Sequence, residues 1–148
     1  MSKFQQVVLA TNNPKKLTEL RRVVAEVGLE VEVLGLADFP SYPEPEETGR
    51  TFEENALIKA RAAARETGVP AVADDSGIEV AALNGMPGVR SARWAGPQHD
   101  DQDNLNLLLA QLAGVPEERR GARFVCALAL VEPDGSQHVW EGVMPGRV

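Results

Sequence analysis

Apolar positions in the first half of the chain switch between two periods. Gln6 to Ala10 is a short apolar run of strand length. Leu17, Leu20, Val23, Val24 and Val27 then recur at helical spacing. Asn13 stands where an N-cap is needed, and Pro14 at the first helical position, where a missing N–H does no harm. Gly28 ends this helix. Val31 and Val33 alternate within a second strand, Glu30 to Leu34. Phe39 to Gly49 is rich in proline and glutamate and reads as a loop. Thr51 and Glu54 then form a capping box before an alanine-rich helix that stops at Gly68, with Pro70 just beyond.

The second half reads more as strands. Ala71 to Ala73 is a short buried strand leading into Asp74-Asp75-Ser76-Gly77, a segment whose plain alternative reading is a turn, and Ile78 to Leu83 is another strand. Asn84 to Gly88 is a turn. Asp100 or Asp101 caps a leucine-rich helix, Leu105 to Leu112, closed by Gly114 and Pro116. Arg123 to Val131 is the clearest strand, and Pro133-Asp134-Gly135 turns it into His138 to Val143. Alternating strands and helices followed by a hairpin predict an α/β fold with a mixed sheet and flanking helices.

With 148 residues, the chain fits one domain, 1–148. The net charge of −7 disfavours binding to a nucleic-acid polymer, which needs basic surface. It is compatible with a mononucleotide held by a few lysines and a metal. The lone Cys126 precludes an intrachain disulfide, and in a strand it reads as a small core residue. His99 and His138 lack zinc-ligand spacing. No apolar run reaches the length of a membrane span and no signal peptide is evident, so the cytoplasm is the expected compartment. Trp94 and Trp140 read as core residues, with Trp94 alternatively bordering a base site.

Two segments carry the candidate chemistry. Lys15 and Lys16 fall in the first turn of the first helix. Cations there oppose the helix dipole by about 0.3–1 kcal/mol each, and a bound phosphate reverses that balance. The segment lacks the glycines of a Walker A loop. Glu46 and Glu47 in the loop, with Asp74 and Asp75 after a strand, supply hard oxygen ligands for a divalent cation. Converging carboxylates repel by about 4 kcal/mol per close pair at an effective dielectric of 20, so a cation belongs with them. Asn55 and Lys59 share a helix face by their (i, i+4) spacing. Each feature alone has a plain alternative: solvated lysines, a surface charge run, a turn.

Together and in order, the segments Ala10 to Lys16, Glu46 to Gly49, Thr51 to Ala56, Lys59 to Arg61, Ala73 to Gly77, Gly85 to Gly88 and Ser91 to Trp94 closely resemble the inosine triphosphate pyrophosphatase family. The resemblance implies an elongated, two-lobed α/β domain with a central cleft, usually a homodimer. It implies Mg²⁺-dependent hydrolysis of ITP, dITP and XTP to the monophosphate and pyrophosphate. On this resemblance Thr11, Asn12, Asn13, Pro14, Lys15 and Lys16 form the triphosphate loop, and Ser76 is a substrate contact. Asp75 is the general base and a metal ligand, with Asp74 beside it. Glu46 or Glu47 is the other ligand, and Lys59 contacts phosphate. The family continues past Gly146 into a base-binding segment with Tyr-Asp-Pro and Ser-His-Arg motifs. This chain stops at Val148 and so reads as a member truncated at the C-terminus. Two other readings stay open: a non-catalytic nucleotide-binding module, and a pyrophosphatase for other nucleotides.

Overall fold

The computed structural model describes residues 5–148. Its strands are β1 (Gln6–Leu9), β2 (Glu32–Gly35), β3 (Ala71–Val80), β4 (Gly121–Val131) and β5 (Gln137–Arg147). Its α-helices are α1 (Pro14–Glu26), α2 (Phe52–Thr67) and α3 (Asp101–Gln111). The strands form one mixed sheet in the order β2-β1-β3-β4-β5. β1 is parallel to both neighbours, while β3, β4 and β5 pair antiparallel.

The connections set the position of the site. The chain leaves β1 through α1 to β2, then returns through α2 to β3 on the other side of β1. The two helices therefore cover opposite faces. Leu17, Leu20 and Val24 of α1 pack on Val7, Leu9, Val33 and Val72. Ala56, Ala60, Ala63 and Ala64 of α2 pack on Val8, Ala71, Ala73, Val125, Ala127 and Ala129. The strand order reverses direction at the carboxyl end of β1, where open α/β sheets form a ligand crevice. A third apolar cluster, with Val80, Leu108 and Leu112 buried, sits under α3 at the far end of β3. β3 and β4 thus contribute to both this cluster and the one under α2.

Local chemistry formed the helix ends as expected. Asn13 Oδ1 accepts the Lys15 N–H at 2.9 Å, Thr51 Oγ1 the Glu54 N–H at 3.1 Å, and Asp100 Oδ1 the Asp103 N–H at 2.9 Å. Glu54 closes its capping arrangement on the Arg50 N–H at 2.7 Å, one residue before the cap.

Several expectations need correction. Asp74-Asp75-Ser76-Gly77 is no turn: β3 runs unbroken from Ala71 to Val80, paired with β4 along its whole length. That pairing outweighs the local turn preference of Asp, Ser and Gly. Gly77 is needed there because a Cβ would lie 2.5 Å from Ser91 Oγ and 2.7 Å from the Gly88 carbonyl oxygen. Residues Ala81–Leu83 form a 3₁₀ turn instead of extending the strand. β2 begins at Glu32, later than expected. β5 runs on to Arg147 through Pro145, which is tolerated because β5 lies at the sheet edge.

Cys126 and Trp140 are exposed. On β4 the residues Val125, Ala127 and Ala129 face α2, so the intervening Cys126 faces the other way, beyond the cover of α1. Trp140, 54% exposed, lies across from Leu128 on β5 and stacks with His138. Trp94 does pack in the third cluster, and its Nε1 donates to Gln111 Oε1 at 2.7 Å.

Candidate active site

The site is assembled where β3 outruns β1. Only Ala71 and Val72 of β3 pair with β1, so Asp74, Asp75 and Ser76 lie just past the end of β1. The segment 11–16 leaves β1 at the same place. Thr11 Oγ1 accepts the Asn13 N–H at 3.1 Å, and Asn13 in turn caps α1. Two of the six predicted loop side chains therefore build the turn itself. Pro14 and Lys15 lie on the outer surface of α1 beside Thr18, Glu19 and Arg22. Lys16 turns inward, and its Nζ donates to Asp74 Oδ2 at 2.9 Å.

Strand alternation separates the two aspartates. Asp74 faces the α1 side and meets Lys16. Asp75 faces the α2 side and meets Lys59, with Nζ 3.8 Å from Asp75 Oδ1. Lys59 Nζ also lies 3.0 Å from Glu47 Oε1 and donates to the Asp74 carbonyl oxygen. One ammonium thus bridges Glu47 and Asp75. Glu46, its neighbour, is exposed. Ser76 is also exposed, on the Asp74 face and opposite Cys126. The four predicted metal-ligating carboxylates do not converge as one set: no group of three or more His, Cys, Asp or Glu suited to a metal occurs among the described residues. Glu47 and Asp75 are the two brought together. The pair fits Mg²⁺, which is commonly held by one or two carboxylates together with substrate phosphates and waters.

Burial pushes the Asp75 carboxyl up to about 6. Lys59 opposes this, Glu47 adds to it, a hydrogen bond from Asn55 opposes it, and Asp74 adds a little more. Desolvation disfavours the charged form, and here it outweighs the lysine.

A cavity of about 400 Å³ opens beside these groups, with Asn12 and Lys59 at one side and Phe39 and Tyr42 at another. It links the loop after β1 to the α2 side of the site. The aromatic wall was not foreseen, because Phe39 to Gly49 carries no regular period. Nor was the burial of Asn55, which is 1% exposed. Its one sequence signal was the shared helix face with Lys59.

Residues 7–148 match the sequence model of the Ham1 family. The chain belongs to that family. Among Ham1 relatives, a dITP/XTP pyrophosphatase of Cutibacterium acnes is 60% identical over 145 residues, covering 98% of this chain and 71% of that protein. A dITP/XTP pyrophosphatase of Corynebacterium efficiens is 62% identical, covering 97% and 70%. Among solved structures, a nucleoside-triphosphatase / dITP/XTP pyrophosphatase from Mycobacterium abscessus aligns with a TM-score of 0.86 at 54% identity, over 97% of this chain and 72% of that one. A HAM1 protein from Coxiella burnetii gives 0.88 at 41% identity, over 97% and 72%. No helix among the described residues is long and apolar enough to cross a membrane.

Proposed function

We propose that this Ham1-family chain hydrolyses ITP, dITP and XTP to the monophosphate and pyrophosphate, with Mg²⁺ as cofactor. Its similarity to dITP/XTP pyrophosphatases supports the substrate class. The observation that carries the reading is the Glu47–Lys59–Asp75 constellation beside the loop that leaves β1. Glu47 and Asp75 would hold the metal, which when bound would offset triphosphate charge and acidify water. Lys59 and Lys16 bind phosphate oxygens, leaving their carboxylate partners as substrate enters. Asp75 orients the attacking water and takes its proton. Asn12 and the N-terminal turn of α1 position the polyphosphate, where backbone N–H groups and the helix dipole favour an anion. No covalent nucleophile takes part. The chain works as a homodimer in the cytoplasm, a reading supported by the family resemblance and by its lone cysteine.

The test is pyrophosphate release from ITP, XTP, dITP, ATP and GTP with and without Mg²⁺. Metal-dependent release favouring the first three is expected. No release from a folded chain, or equal rates on ATP and GTP, overturns the reading. Sedimentation equilibrium on the same sample checks the dimer.

A further inference from the structure

We propose that Asn55 is a positioning residue that holds the Glu47 loop against Asp75, so that the two carboxylates are set at their working separation before any metal or substrate arrives. The role of the carboxylates rests on the function proposed above; the role of Asn55 in holding the loop does not.

Asn55 lies one helical turn before Lys59 on α2 and is 1% exposed. A buried amide is costly unless its polar atoms are bonded. Its Oδ1 accepts the Gly49 N–H at 2.7 Å, and its Nδ2 lies 3.5 Å from the Gly49 carbonyl oxygen. Its amide also works against the rise of the Asp75 carboxyl, which burial pushes upward. One side chain therefore ties the loop that carries Glu47 to α2, the helix packed on the strand that carries Asp75. Asn suits this task because it combines an acceptor and two donors on a short, planar group.

The loop is shaped to receive it. A Cβ on Gly49 would lie 2.6 Å from Glu54 Cβ and 2.7 Å from Asn55 Oδ1, so only glycine lets the backbone come this close. The next peptide is tied as well, since the Arg50 N–H donates to Glu54 Oε2 at 2.7 Å. Two successive loop N–H groups thus end on two successive side chains of the first turn of α2. Glu47 lies two residues before Gly49, and the loop between them is short enough to transmit the anchor.

Amide hydrogen exchange on the metal-free protein, with Mg²⁺-dependent kinetics beside it, tests the proposal. In Asn55→Ala, residues 46–50 should exchange about tenfold faster or more, while the later turns of α2 and strand β3 stay protected. The Mg²⁺ concentration for half-maximal ITP hydrolysis should rise about 10–100-fold, as is typical when the partner of a metal ligand is removed. The KM for ITP at saturating Mg²⁺ should change little. Asn55→Asp keeps an oxygen for the Gly49 N–H but replaces the donor with a carboxylate facing Asp75. It should retain loop protection and still lose activity. Wild-type protection of residues 46–50 in a folded Asn55→Ala overturns the proposal. If Asn55→Ala fails to fold, Asn55→Asp with wild-type activity overturns it. If no divalent cation supports hydrolysis, the proposed function fails, while the exchange result still decides whether Asn55 holds the loop.

Discussion

Asp74 and Asp75 are adjacent in sequence yet face opposite sides of β3, each beside its own lysine. Lys16 of α1 donates to Asp74 at 2.9 Å, and Lys59 of α2 lies 3.8 Å from Asp75. The period-two alternation of a strand makes this division unavoidable. It gives the two carboxylates different work. Asp74 pairs with Lys16 in the first turn of α1, and Asp75 shares the Lys59 ammonium with Glu47.

Asp75→Asn should cut ITP hydrolysis by about 10²–10⁴-fold, the usual contribution of a positioned general base. Single-turnover assays at saturating Mg²⁺ and ITP measure this. Wild-type rates would remove Asp75 from the proton-transfer role.

The same substitution should stabilise the metal-free protein above pH 6. The Asp75 carboxyl rises from 3.8 to about 6 on folding, so the native state binds the proton more tightly than the unfolded chain. Stability from this group is present below about pH 4 and is lost as pH rises to about 6, after which the loss is complete. The difference in Tm between Asp75→Asn and wild type should therefore grow from pH 4.5 to pH 7, as read by calorimetry in chelator. A difference that stays constant with pH would contradict it.

Lys59→Met leaves Glu47 and Asp75 facing each other with no shared cation. The metal-free variant should lose about 1–3 kcal/mol, the cost of removing a partner from partly buried groups. Added Mg²⁺ should then raise its Tm more than it raises that of the wild type. Equal Mg²⁺ shifts would argue against metal binding by this pair.

The exposed Lys16–Asp74 pair should matter for substrate and hardly for folding. Lys16→Met should change stability by less than about 1 kcal/mol. It should raise the KM for ITP by about tenfold or more, as expected on losing a charged hydrogen bond to phosphate. Asp74→Asn, which releases Lys16, should not raise KM. Steady-state kinetics and urea melts together check both halves.

Gly77→Ala should destabilise the fold by about 1–3 kcal/mol, because the added methyl meets Ser91 Oγ and the Gly88 backbone at contact distances below 3 Å. Urea denaturation measures the loss. An unchanged midpoint would mean the segment carrying Ser91 yields freely.

Much of this protein was legible in its sequence because the signals are local. Asn13, Thr51 and Asp100 cap their helices through oxygens two or three residues from the bonded N–H, and the alternating valines and leucines mark strands. The ordered motifs pointed to the family that the comparison then showed. Tertiary structure decided the rest. It made Asp74 to Gly77 the middle of a strand and not a turn, because a paired neighbour satisfies the backbone more fully than a local turn. It placed Glu47 and not Glu46 against Lys59, buried Asn55 between loop and strand, and left Cys126 and Trp140 on an open sheet face. Those outcomes depend on which face of a strand meets which helix, and that is set by contacts between residues far apart in the chain.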